Sequence, residues 1–242
     1  MKRRKFIVTS LVGSSLFAAP LMTEAATAQP TGIIQVINAG VGGNNTIDLL
    51  ERIPQDCLLH KPELVIFMAG TNDMNSKKFV ALPAYEKNMQ QMISMMKKGG
   101  SEVMLMNLLP VYEPYLFTRH ERSFYEPGGH SGRLKQVNEL ISKLAVRNNT
   151  AFVDLYHIFN SIGNIGTEVS SLIKNEANSG TTDGLHPTAD GYRLIATAVH
   201  AKLACNHLAA KRKIVCFGDS ITKGDGIDGG GNYPSYLRKL LN

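Results

Sequence analysis

Short apolar runs recur along the chain at 33–37, 64–68, 103–108, 152–155 and 214–217. Each is near-continuous rather than alternating, which predicts strands buried on both faces and therefore a parallel sheet covered by helices on either side. Between the runs the apolar spacing becomes helical. Over 84–98, Tyr85, Met89, Met92, Ile93 and Met96 fall on one side and the stretch closes at Gly99-Gly100, which predicts a helix with a methionine-rich core face. The stretches 133–147 and 188–208 repeat the spacing, and 234–240 predicts a last short helix. Strands alternating with helices predict an α/β fold, a three-layer α/β/α sandwich around a five-stranded parallel sheet. Two stretches break the rhythm: 110–132, rich in Tyr, Pro, Arg and Gly, and 160–182, rich in Asn, Ser and Gly. Loops of this length carry function more often than not and are the expected suppliers of substrate contacts.

The first 28 residues read as a signal peptide. Lys2, Arg3, Arg4 and Lys5 precede a mostly apolar run from Phe6 to Met22, and Ala26-Thr27-Ala28 gives a small-x-small cleavage site. Left uncleaved, the same run would be an anchor, although Ser10, Ser14, Ser15 and Pro20 interrupt it. Arg3-Arg4 also fits a twin-arginine start. The expected location is thus the periplasm or the medium, with residues 29–242 as a single domain and no membrane contact beyond the signal segment. The formal charge of the whole chain, +6, shrinks once this segment is removed, leaving 22 Lys and Arg against 19 Asp and Glu. With basic residues scattered and Trp absent, nucleic acid is excluded as an expected partner. Cys57, Cys205 and Cys216 are an odd set, so the fold does not rest on disulfides, and Cys216 is expected to pack within a strand.

Chemistry in an open parallel sheet gathers at the C-terminal ends of the strands. There the chain places Asn38-Ala39-Gly40-Val41-Gly42-Gly43-Asn44, then Ala69-Gly70-Thr71-Asn72-Asp73, and near its end Gly218-Asp219-Ser220-Ile221-Thr222. A fourth block, Asp183-Gly184-Leu185-His186-Pro187, directly precedes a helix. These four blocks resemble the signature blocks of the SGNH (GDSL) hydrolase family, whose flavodoxin-like architecture fits the predicted alternation of strands and helices. The resemblance implies Ser220 as nucleophile, His186 as general base and Asp183 as its orienting partner. It also implies an oxyanion hole of the Gly43 N–H, the Asn72 side-chain amide and the Ser220 N–H. Those roles make physical sense. A hydroxyl attacks only when an imidazole can take its proton, and the three-residue spacing of Asp183 and His186 lets one loop hold both.

Block order departs from the family, where the serine block comes first. A circular permutation is therefore expected, with the family's first strand and helix supplied by 211–242 and the break between Leu241-Asn242 and Gly32-Ile33. A truncated second copy of the domain, or a segment that completes a neighbour's site, would give the same order. The resemblance implies a serine esterase acting through an acyl-enzyme on short acyl, above all acetyl, esters of small molecules or polysaccharide. Lipase, lysophospholipase, thioesterase, carbohydrate O-acetyltransferase and a silent carbohydrate-binding module are its alternatives, and the oligomeric state stays open.

No cofactor or metal is expected. His60, His120, His130, His157, His200 and His207 lack metal-ligand spacing, and Asp225 and Asp228 have too few companions for calcium. His120 and His130 lie in the first long loop as candidate substrate contacts. The G-x-G-x-x-G match at 224–229 begins too far beyond its strand for a dinucleotide, and Asn45 takes the third glycine position of the run starting at Gly40. Lys223 completes an S-x-x-K match that has no partner motifs and reads as a surface residue.

Overall fold

The computed structural model describes residues 32–163, 165–205, 207–224 and 231–242, which belong to one compact unit. The expected export segment, Asp225, Asp228 and nearly all of the 224–229 glycine run lie outside the described residues. The chain opens with β1 (Gln35–Gly40), α1 (Thr46–Asp56), β2 (Leu64–Met68) and α2 (Leu82–Lys98). There follow β3 (Glu102–Met106), a short α3 (Glu113–Leu116), α4 (Gly129–Arg147), β4 (Ala151–Val153) and α5 (Leu155–Ile162). After a brief α6 (Glu176–Ser179) come α7 (Ala189–Ala204), β5 (Lys213–Gly218), α8 (Ser220–Lys223) and α9 (Tyr233–Leu241).

The strands form one parallel sheet in the order β1-β5-β2-β3-β4. Every residue of β2 is buried, as a continuous apolar run between two helix layers requires. α1 packs on α2 and α2 on α4, while α7 packs on α9 and α5. The expected α/β architecture is therefore present, and the methionine face of α2 is core, with Met89, Met92 and Met96 at most 1% exposed. Cys57 and Cys216 are buried free thiols, both pushed up to about 12 by burial, and Cys205 is free and exposed.

The position of β5 aligns the loops. Gly218 pairs with Gly40 on one side and with Met68 on the other, so the segments after β1, β2 and β5 leave the sheet at one level. Gly40 is required there, because a Cβ would overlap the backbone of Thr222 and Lys223. The two ends of the described chain also meet. Ile34 N–H donates to Asn242 Oδ1 at 2.8 Å and Asn242 Nδ2 donates to the Ile34 carbonyl at 3.1 Å.

Several boundaries differ from the sequence expectation, and side chains set most of them. β1 runs to Gly40 rather than ending at 37, and Ile33 is 88% exposed ahead of it. β3 stops at Met106 because Asn138 takes over the pairing: Leu108 N–H donates to Asn138 Oδ1, and Asn138 Nδ2 donates to the Leu108 carbonyl. β4 stops at Val153 because Asp154 caps α5, accepting from His157 N–H. α4 starts at Gly129, inside the expected loop, and α7 stops at Ala204 rather than 208. Apolar spacing did not announce α1, which carries Pro54. Its signal is the capping box, in which Asn45 accepts from Asp48 N–H and Asp48 accepts from Asn45 N–H.

Candidate active site

Ser220 is the first residue of α8, whose cap is Asp219. His186 belongs to the turn ahead of α7, and segment 172–174 grips that turn from behind. An isolated antiparallel bridge joins Ile173 to Pro187, and Lys174 N–H donates to the His186 carbonyl at 2.9 Å. The two blocks meet inside one chain. His186 Nε2 lies 2.9 Å from Ser220 Oγ, and His186 Nδ1 lies 2.9 and 3.1 Å from the Asp183 oxygens. Asp183 Oδ1 also accepts from the N–H groups of Leu185 and His186 at 2.9 and 2.8 Å. Burial alone would raise the Asp183 carboxyl, but its bonds and attraction to His186, helped by those two N–H groups, hold it at about 2. It is a carboxylate throughout the neutral range.

The other sequence-derived candidates stand at the same level. Gly43 has φ +78°, a conformation that favours glycine, and its N–H has no hydrogen-bond partner among the described residues. Asn72 Nδ2 donates to the Asn44 carbonyl at 2.9 Å. That bond ties the Asn72 amide to the loop carrying Gly43 and leaves its second N–H available. Ser220 opens α8, so its N–H has no intrahelical acceptor.

Arg52, which no motif in the sequence singled out, stitches these segments together. Its guanidinium donates to Asn44 Oδ1 at 2.5 Å, to the Ala39 carbonyl at 3.0 Å and to the Gly218 carbonyl at 2.7 Å. It also pairs with Asp56 at 2.9 Å and lies 4.5 Å from the centre of the Phe217 ring. Asp73 and Asp219 are buried carboxyls close enough to repel one another. Asp73 accepts from Thr46 N–H at 3.0 Å and from the Thr46 hydroxyl, which in turn accepts from Asn88. Asp219 accepts from Ile221 N–H at 2.9 Å through one oxygen, while the other has no partner among the described residues. Burial raises both carboxyls to about 6, against their hydrogen bonds.

A pocket of about 190 Å³ opens beside His186 and Asn72, and its far wall carries Arg119, His120, Tyr125 and His130 from the first long loop. Sequence reasoning flagged both histidines as candidate substrate contacts, and both reach the pocket; it did not mark Arg119 or Tyr125. A larger groove of about 700 Å³, at the ends of β3 and β4, contains none of Ser220, His186 and Asp183. Among the described residues no group of three or more His, Cys, Asp or Glu could hold a metal ion. None of the described helices is long and apolar enough to cross a membrane, and Lys223 is exposed.

The family model described as GDSL-like Lipase/Acylhydrolase matches residues 14–194, a span that includes Gly43, Asn72, Asp183 and His186 and ends before Ser220. An uncharacterized lipoprotein, YqeF, of Bacillus subtilis (strain 168) is 28% identical over 178 residues, 68% of this chain and 71% of that protein. An acetylxylan esterase of Geobacillus stearothermophilus is 26% identical over 173 residues, 68% of this chain and 70% of that protein. Among solved structures, a GDSL-like lipase from Bacteroides thetaiotaomicron shares the fold with a TM-score of 0.53 at 24% identity, covering 68% of this chain and 73% of that one. With its parallel sheet and a family match across three quarters of its length, the chain belongs to the GDSL-like lipase/acylhydrolase family and is a serine ester hydrolase.

Proposed function

We propose that this protein is an exported esterase that removes short acyl groups, chiefly acetyl, from carbohydrate, using Ser220, His186 and Asp183. The reading is carried by the continuous hydrogen-bonded line from Asp183 through His186 to Ser220. In the proposed cycle Ser220 Oγ attacks the ester carbonyl carbon as its proton passes to His186 Nε2, while Asp183 accepts from Nδ1–H and stabilises the imidazolium. The oxyanion accepts from the N–H groups of Ser220 and Gly43 and from the Asn72 amide, fixed donors that lower the barrier without reorganising. Collapse breaks the bond to the leaving alcohol, which takes the His186 proton and leaves an acyl-enzyme. Water then repeats the sequence and frees the acid.

The acetylxylan esterase relative supports acetyl esters of a polysaccharide as substrate. So does the small size of the pocket beside His186, about 190 Å³, which suits a short acyl group or a sugar better than a long hydrocarbon chain. Export rests on the basic-then-apolar start, with residues 1–28 removed and 29–242 acting as one domain. We further propose a circularly permuted topology. The last strand lies between β1 and β2, and Asn242 pairs with Ile34 where the family's chain would run on.

Turnover of 4-nitrophenyl acetate tests the chemistry. Ser220→Ala is expected to abolish turnover with the fold intact by circular dichroism, and a fluorophosphonate probe is expected to label Ser220 in the native protein. A variant that keeps most of its activity rejects the mechanism.

A further inference from the structure

The pocket beside His186 holds polar groups that ester hydrolysis does not use. Tyr125 and His130 are 1% and 3% exposed, yet Tyr125 Oη and His130 Nδ1 have no hydrogen-bond partner among the described residues. Arg119 at the mouth donates one N–H to the Asp183 carbonyl at 2.5 Å, and its other N–H groups have no partner among the described residues. His120 Nδ1 lies 3.0 Å from Ser76 Oγ, and Lys77 adds positive charge beside it. No carboxylate side chain lines this pocket. The nearby acids are engaged elsewhere: the Asp183 carboxylate with His186, and Glu113, 3.9 Å from His130, with Ser131 N–H.

A wall that combines a guanidinium with free N–H groups, a buried unpartnered hydroxyl and two imidazoles, with no acidic side chain in its lining, selects its ligand by elimination. An acyl chain would leave the donors unsatisfied, at about 1–3 kcal/mol for each polar group so buried. A neutral hydroxyl would satisfy one or two and gain little from the guanidinium. A carboxylate offers about four acceptor sites and pairs with guanidinium in a two-bond fork. The space of about 190 Å³ equals roughly six waters at ~30 Å³ each, enough for one sugar ring.

We propose that this pocket is a subsite for a carboxylate carried by the alcohol part of the ester, so that the preferred substrate is an acylated uronic-acid sugar. Arg119 is the specificity-determining residue, with His120, Tyr125 and His130 completing the donor set. The subsite rests on the ester hydrolase reading above.

The test compares the acetate esters of methyl glucuronoside and methyl glucoside, with 4-nitrophenyl acetate as a reference that lacks the sugar. The native enzyme is expected to favour the uronoside about 10-fold in kcat/KM, mostly through KM, equivalent to ~1.4 kcal/mol, with the preference shrinking in about 0.5 M salt. Arg119→Gln should bring the ratio of the two sugars close to unity, while Arg119→Lys, which keeps the charge but not the fork, should retain only part of it. Equal kcat/KM for the two sugars in the native enzyme, or a ratio untouched by Arg119→Gln, overturns the subsite while leaving hydrolysis standing. Free acetate inhibiting as strongly as unacylated methyl glucuronoside also overturns it, since the pocket would then hold the acid product. Absence of turnover on all three esters overturns the hydrolase reading and the subsite with it.

Discussion

Replacing Arg52 with alanine isolates a residue that touches no substrate in the proposed mechanism yet binds three of the segments that build the site. The change removes donors to Asn44 Oδ1, Ala39 O and Gly218 O from a side chain only 15% exposed. Bonds from a charged donor contribute about 1.5–3 kcal/mol each, but they are not additive, and Gly218 O keeps the Val41 N–H. The pair with Asp56, whose side chain is 42% exposed, contributes little. The expected loss is about 2–4 kcal/mol, or a fall in Tm of roughly 5–12 °C for a domain of this size. Catalysis should suffer separately. The loop holding Gly43 keeps its Asn72 tether but loses its Arg52 tether, and loss of a whole oxyanion donor costs about 100-fold or more in kcat, so a loosened one should cost about 10-fold. Thermal unfolding and steady-state kinetics on 4-nitrophenyl acetate read the two effects, with KM expected to change little. Arg52→Lys, whose single ammonium cannot span three acceptors, should recover little of either. An alanine variant with native Tm refutes the structural account; one that melts early but keeps native kcat shows that Arg52 supports the fold without positioning the Gly43 loop.

The Asp219 carboxyl, raised to about 6 when folded against 3.8 in the free residue, favours the folded state below pH 4 and loses that contribution as pH rises through 6, about 3 kcal/mol in all. Asp219→Asn should therefore flatten the decline in Tm between pH 4 and 7, leaving the similar slope from Asp73; an unchanged slope contradicts the assignment. Asp183, held at about 2, works in the opposite sense: its contribution is complete above pH 4 and fades as pH falls towards 2, so Asp183→Asn should lose stability at neutral pH and turnover far more than stability, checked by melting and rate measurements together. Gly40→Ala, which forces a methyl group into the backbone of Thr222 and Lys223, should reduce soluble, folded yield or the melting temperature; an unperturbed variant shows that β1 and α8 can separate cheaply. For the permuted topology, a chain opened near residue 210 and closed by a short linker from Asn242 to Gly32 should fold and retain activity, whereas failure to fold argues that the present order is required.

Much of the architecture and the site's residue types could be read from local pattern. Near-continuous apolar runs such as 64–68 marked strands covered on both faces, because burial is written in each residue's own polarity. The spacing of Asp183 and His186 already placed both on one turn, and the Gly, Asn and Ser blocks stood at strand ends. What periodicity could not convey was which strand lies beside which. That β5 enters between β1 and β2, levelling Gly218 with Gly40 and Met68, depends on packing between segments far apart in the chain. The same distance hid Arg52, which looks like one more charge on a mixed helix until its acceptor 166 residues away arrives beside it. It also hid the end of β3, where Asn138 on α4 replaces a strand neighbour. Local chemistry named the groups, and only the closed sheet, by bringing distant backbone acceptors within hydrogen-bonding reach, decided which of them meet.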